Sequence, residues 1–439
     1  MIKKLVKLLF PLSVQQKLRE VISEYRNWND QRLIRKAPER SIRVLDRLKK
    51  KDSYKVVFFM MVASSWKYDT VYKLMQSSNI FKPIVVVVPI LSFGNEIQEK
   101  ELSESDELCK RNGYEYLFTW NQENNTWIDI KRTIQPDIVF FNNPYSYSKP
   151  EYQIKYFLDC VTCYVPYSIR QERIFDIKFN KLLHNIVTRN YYESPLHFEL
   201  AKKYARNKGE NVVVTGFPAI DTIRFANPVN NAWKSQITRK KRIIWSPHWT
   251  IPDFQKTTLD WSSFLMYFEF MFELADEYKD KVQISFKPHP LLKHTLIKNE
   301  MWGKKRTVDY YNKWKELENG QLDESDYVSL FASSDALIHD CGSFMIEYLA
   351  LNKPVLYLLN NTDIQNRFND FGIEAFKCHY KAQNAAEIRN FIESIVLQSN
   401  DPLLSERKDF CENVLLFKES TASERIINDL KASLQISSK

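Results

Sequence analysis

The strongest restriction on this chain is a repeating alternation of short, unbroken apolar runs with segments of helical spacing. Residues 55–64 (KVVFFMMVAS) are apolar almost throughout, at strand length. A strand with one wet face alternates polar and apolar residues, whereas a strand covered on both faces does not. Similar runs follow at 83–89, 138–142, 161–166, 186–189 and 211–215. Helical spacing separates them at 66–77, 96–112, 149–160 and 194–208. After a polar interval, 227–240, the pattern restarts. Strands are expected at 242–245, 283–286, 336–339 and 354–359. Helices are expected at 259–279, 342–351, 385–397, 402–418 and 421–434. Such a βαβα series predicts parallel sheets with helices on both faces.

With 439 residues the chain is long enough for two such cores. The pattern therefore predicts an α/β fold of GT-B type, with two doubly wound, Rossmann-type domains facing a cleft. Residues 1–50 read as a basic helical leader, 51–230 as the first Rossmann-like domain and 231–405 as the second. Residues 406–439 read as terminal helices that cross back to the first domain. Ligands of doubly wound sheets sit beyond the carboxyl ends of the strands.

Composition narrows the function. Eight glycines, with no G-x-G-x-x-G and no Walker-type loop, argue against a Gly-rich phosphate cradle. A formal charge of +9 suits anionic partners but does not by itself imply nucleic acid, and none is expected. Six cysteines with one close pair, Cys160 and Cys163, read as buried thiols rather than a metal or redox site. No acidic cluster has metal-ligand spacing, and neither metal nor cofactor is expected. No run approaches the ~20 apolar residues of a spanning helix. The N-terminus sets Lys3, Lys4 and Lys7 beside Ile2, Leu5, Val6, Leu8, Leu9 and Phe10. It suits an anionic leaflet, or equally an ordinary amphipathic helix packed on the protein.

Polar signals cluster just after the strands of the second half. In Asp335-Ala-Leu-Ile-His-Asp-Cys-Gly-Ser-Phe-Met-Ile-Glu-Tyr348 a strand ends at Asp340 and a small turn opens a helix. Its free N–H groups favour a phosphate, with Gly342 allowing close approach and Ser343 adding a hydroxyl. Glu347, one turn on, suits a ribose hydroxyl. The plain alternative is a serine N-cap. Phe286-Lys-Pro-His-Pro290 fixes His289 between two prolines, where it can protonate or hydrogen-bond a phosphate oxygen, and Lys287 adds charge. Trp245-Ser-Pro-His-Trp-Thr250 offers His248 in the same way. Each of these histidines has a plain reading as a loop residue packed on its neighbours. His339 lies in an apolar strand and reads as core. Gly216-Phe-Pro218 reads as a structural turn.

These residues resemble the CDP-glycerol glycerophosphotransferase family, the teichoic-acid primases and polymerases and their capsule relatives. Lys287-Pro-His-Pro290 is similar to the family's K-x-H-P. Ser334-Asp-Ala-Leu-Ile-His-Asp-Cys-Gly-Ser343 is similar to S-D-x-x-I-x-D-Y-S-S. Tyr348-Leu-Ala-Leu-Asn-Lys-Pro354 is similar to the Y-x-L-x-x-K-P that follows. The resemblance is good over about 242–360 and weak in the first half. There the family's His-Gly is absent, and Cys163-Tyr-Val-Pro-Tyr-Ser-Ile169 stands in its place. Tyr167 and Ser168 are then expected on the acceptor side, and the base is left open.

The resemblance implies a transferase moving glycerol phosphate, or a related polyol phosphate, from a CDP-linked donor to a hydroxyl of a surface polymer, with CMP released. It implies a first, acceptor domain and a second, nucleotide-donor domain. The catalytic residues implied are His289 and His248. Gly342, Ser343, Asp340 and Lys287 would hold donor phosphate, and Glu347 the ribose. The acceptor implied is lipid-linked or an oligosaccharide, and the place is the cytoplasm, against the inner face of the membrane. Two other readings stand beside it: a GT-B glycosyltransferase using a nucleotide sugar, and a silent binding subunit of an envelope-polymer complex. The transferase reading requires His289 to lie near the helix start at Gly342, with that start open.

Overall fold

A computed structural model describes residues 12–49, 51–226, 232–251, 261–324, 327–360, 363–415 and 419–436. The first sheet begins with β1 (Tyr54–Met60), β2 (Phe81–Val87) and β3 (Tyr116–Phe118). A small hairpin, β4 (Trp120–Asn121) and β5 (Thr126–Trp127), precedes β6 (Ile138–Phe141), β7 (Val161–Tyr164), β8 (Arg189–Tyr192) and β9 (Val212–Val214). The second sheet uses β10 (Lys241–Ser246), β11 (Val282–Phe286), β12 (Gly320–Leu322), β13 (Ala336–His339), β14 (Val355–Leu358) and β15 (Tyr380–Ala382). The orders are β3-β2-β1-β6-β7-β8-β9 and β12-β11-β10-β13-β14-β15. Neighbours in both sheets are parallel. Each order reverses direction beside its first strand, as a doubly wound sheet does. The switch points are β1/β6 and β10/β13.

The apolar runs are the sheet centres. Every residue of β6, β7, β11, β13 and β14 is buried. Phe58 on β1 stacks on Phe140 of β6 with centroids 4.5 Å apart. Its cluster also contains Leu337, Tyr357 and Phe368 of the second half, so one core runs through both. The terminal helix Ala422–Ser433 returns to the first sheet. Asp221 accepts from the Ser423 N–H at 2.8 Å, and Arg189 on β8 pairs with Asp429 at 3.0 Å. Ile426 and Leu430 are fully enclosed there, each contributing about 1.5–3 kcal/mol by burial.

Some expected elements change. Residues 149–160 form two 3-10 turns, Pro150–Tyr152 and Ile154–Tyr156, rather than a helix. Gln153 between them is extended, and this lets Tyr152, Ile154 and Phe157 all point inward. The strand expected at 186–189 is β8, starting three residues later, after the short helix Leu182–Ile186. Asn190 disguises it, since its side chain is buried by donating to the His184 carbonyl. The helix expected over 259–279 is two pieces, Phe264–Tyr267 and Phe270–Glu277. The edge strands β3, β12 and β15, three residues each, carry too little pattern to be read.

Helices Leu12–Arg35 and Ala37–Leu48 precede the first sheet. The second buries Val44 and Leu48 in the first core, and Arg40 donates to the Ile186 carbonyl at 2.9 Å. Lys3, Lys4 and Lys7, with the membrane contact expected of them, lie outside the described residues. No described helix is long and apolar enough to cross a membrane.

Candidate functional site

The switch point of the second sheet assembles the main polar cluster. Trp245 on β10 pairs with Phe286 on β11, and Ser246 pairs with His339 on β13. The loops after β10, β11 and β13 therefore leave the sheet at one level. The His289 N–H donates to the Pro247 carbonyl at 3.1 Å, tying the loop after β11 to the one after β10. His248 and His289 thereby stand side by side, ring centroids 5.1 Å apart.

Local bonds fix which nitrogen carries each proton. The Leu291 N–H donates to His289 Nδ1 at 3.1 Å, and the Thr250 N–H to His248 Nδ1 at 3.3 Å. Both Nδ1 atoms are thus acceptors, and the proton of each neutral ring sits on Nε2. Neither Nε2 has a partner among the described residues. Burial pulls His248 down to about 3, helped by His289, and His289 down to about 4. At neutral pH the pair is two uncharged N–H donors, suited to anionic oxygens.

Asp340 was expected among the phosphate-binding residues, and the structure corrects this. Its carboxylate is fully buried, accepting from the His248 N–H and from the N–H and hydroxyl of Ser263 at 2.6 and 2.7 Å. Burial raises its carboxyl to about 6. It holds the histidine loop to the sheet. Lys287 pairs with Asp323 at 3.2 Å, both side chains nearly enclosed.

Helix Gly342–Glu347 starts where expected. Its first residue is crowded: a Cβ on Gly342 would lie 2.4 Å from Gln171 Nε2 and 3.8 Å from Glu172 Oε1, both from the first half. The start foreseen as open is therefore crowded by Gln171 of the first half, and an anion against Gly342 requires that side chain to move. The Ser343 side chain is outside the described set. Glu347, expected at a ribose, is 2% exposed and pairs across the cleft with Lys67 at 3.6 Å. Tyr167 and Ser168 follow β7. The Tyr167 hydroxyl meets that of Tyr145 at 3.2 Å, and Lys178 Nζ lies 5.4 Å from the Tyr167 ring centroid. His339 is fully buried, as read from its strand.

Two features carried no usable sequence signal. At the first switch point Asn142 donates to Ser65 Oγ at 3.1 Å, and Asn143 follows it. From sequence, Asn143-Pro144 only closed a strand. The second is a strap, 171–173, pinned to the far side of the cleft. Arg173 N–H donates to the Arg367 carbonyl at 3.0 Å, and Asn369 N–H to the Gln171 carbonyl at 2.7 Å. Glu172 forms an antiparallel bridge with Phe368. Among the described residues no group of three or more His, Cys, Asp or Glu could hold a metal ion, and the six cysteines are buried with no disulfide between them.

A family model described as CDP-Glycerol:Poly(glycerophosphate) glycerophosphotransferase matches residues 170–431. No curated protein matches the chain. Among solved structures, the S. aureus MnaA–UDP co-structure is 16% identical, covers 88% of this chain and 98% of its own, and has a TM-score of 0.57. A UDP-N-acetylglucosamine 2-epimerase is 14% identical, with 89% and 98% covered and a TM-score of 0.58. A variant of the wall teichoic acid polymerase TagF is 14% identical, with 96% and 98% covered and a TM-score of 0.54. At such identities the likeness is one of fold, and that fold is GT-B.

Proposed function

Because the chain belongs to the CDP-glycerol:poly(glycerophosphate) glycerophosphotransferase family, and is thus a CDP-glycerol-type transferase acting on surface polymers, we propose that it passes glycerol phosphate from CDP-glycerol to a polymer hydroxyl, with CMP released. The observation that carries this reading is the His248–His289 pair. Breaking the pyrophosphate places negative charge on the departing CMP, and two preset N–H donors stabilise that charge without reorganising. Their loops are fixed by Asp340 and by the Pro247 carbonyl, so the donors are held before substrate arrives. Gly342 and Ser343 border the same crevice and take donor phosphate once Gln171 has moved aside. Tyr167 and Ser168 lie on the acceptor side.

The acceptor in this reading is lipid-linked, at the inner face of the membrane. Helix Leu12–Arg35 supports that placement by exposing Val21, Tyr25 and Trp28 one turn apart, with Arg32 over the Trp28 ring. Aromatic and cationic side chains at that spacing suit the headgroup level of a bilayer.

The test is CMP release from CDP-glycerol with polyol-phosphate acceptors, with UDP-sugars as parallel donors. Turnover with CDP-glycerol that falls by about 100-fold or more in His289→Ala is expected. Turnover with a UDP-sugar alone would turn the assignment to a glycosyltransferase.

A further inference from the structure

We propose that Glu172 is the general base that accepts the proton of the acceptor hydroxyl; this rests on the transfer reaction proposed above. That reaction needs a base, and the histidine pair is a poor one. Nδ1 of each ring is already an acceptor, Nε2 carries the proton, and burial holds both rings near 3 and 4. The proton must go elsewhere.

The first half has two histidines, and neither serves. His184 is fully enclosed and its Nδ1 accepts from the Lys181 N–H. His197 is enclosed between Ser194 Oγ at 2.8 Å and the Arg170 carbonyl at 2.9 Å. Burial raises the phenols of Tyr145 and Tyr167, so both stay protonated and can only donate or share their protons. Glu193 is sealed against Arg170 at 3.0 Å. Glu347 is held by Lys67.

Glu172 shares with Glu347 a lysine partner and an Oε2 that makes no hydrogen bond, and differs from Glu193 and Glu347 in exposure. Its side chain is 26% exposed. Lys178 Nζ lies 3.4 Å from Oε2, which is itself enclosed and makes no hydrogen bond. Oε1 would lie 3.8 Å from a Cβ added at Gly342. The backbone bridge to Phe368 fixes the residue at the domain junction. From Phe368 a short run of contacts reaches the histidines. Its ring lies 5.7 Å from Trp261, whose N–H donates to Thr250 Oγ1, itself 2.9 Å from His248 Nδ1. A carboxylate of the first half is thus linked through Phe368, Trp261 and Thr250 to the loop that carries His248.

In the step, the acceptor O–H breaks and its proton passes to Glu172. The acceptor oxygen bonds to the phosphorus of glycerol phosphate. The bond from that phosphorus to the bridging oxygen breaks, and its electron pair leaves with CMP, whose phosphate oxygens accept from the two Nε2–H groups. Glu172 then returns the proton to solvent.

The experiment measures CMP release from CDP-glycerol by wild type, Glu172→Gln and Glu172→Ala, with and without sodium formate, beside calorimetric binding of CDP. Expected are a kcat at least about 100-fold lower in both variants, CDP affinity close to wild type, and recovery of Glu172→Ala by formate. A kcat for Glu172→Gln within about threefold of wild type, or activity lost in Glu172→Ala that formate leaves untouched, overturns the proposal. Wild type that releases no CMP from any CDP-polyol removes the reaction itself, and is seen before a variant is compared.

Discussion

The two switch crevices of this molecule face each other and are built from opposite materials. The crevice at β10/β13 holds two imidazoles on loops braced by a buried aspartate. The crevice at β1/β6 holds Ser65, Asn142 and Asn143, with Lys67, Tyr145, Tyr167 and Glu172 at its margin. The first set donates hydrogen bonds rigidly and takes protons poorly. The second is built of buried, hydrogen-bonded amides and supplies the carboxylate. Charge stabilisation and proton acceptance are thereby divided between the domains, and the reaction requires both to be closed on the substrate.

The sharpest way to break this division is to remove donors from each side. His248→Ala with His289→Ala should lower kcat by about 1,000-fold or more, as loss of preset donors does. Asn142→Ala or Ser65→Ala should cost about tenfold or less, chiefly in KM. Equal losses in steady-state assays would show that the crevices do not divide the work.

Bracing is tested next. Asp340→Ala leaves the buried N–H groups of His248 and Ser263 without an acceptor and should cost about 3 kcal/mol in chemical denaturation. Gln171→Ala, on the strap opposite, should cost less than Asp340→Ala.

Both halves should respond alike to acid. Burial depresses His197 in the first half to about 4 and His339 in the second to about 3. The unfolded chain, with histidines near 6.5, binds more protons below that pH. Stability is therefore full above about 6.5 and falls as pH drops toward 4, by about 1.4 kcal/mol per pH unit for each ring. Denaturation midpoints at pH 7 and pH 5 measure it, and an unchanged midpoint would contradict the enclosure of both rings. The smallest effect expected is Tyr167→Phe, less than about tenfold in kcat, since a raised phenol assists but is not the base.

How much was legible follows the same contrast. His248 and His289 were readable because proline-fixed loops after apolar strands are local signals, complete within five or six residues. Asp340, Lys287 and Glu347 were found by position, but where they point was not readable. Asp340 turns to Ser263, Lys287 to Asp323 and Glu347 to Lys67, partners 36 to 280 residues away in sequence. Glu172 carried no signal at all, because its significance comes from Phe368 and Gly342, which only folding brings near.

By itself the sequence determined the doubly wound α/β class, the restart of the pattern after residue 240 and the two histidine loops. Each of these is set by hydrophobic periodicity or by backbone restriction within a few neighbours. Tertiary structure alone decided which buried charges pair, that Gln171 of the first half crowds the helix start at Gly342, and that Glu172 is bridged to Phe368. Those outcomes depend on desolvation and on distances between remote segments, and neither quantity is written in local order along a chain.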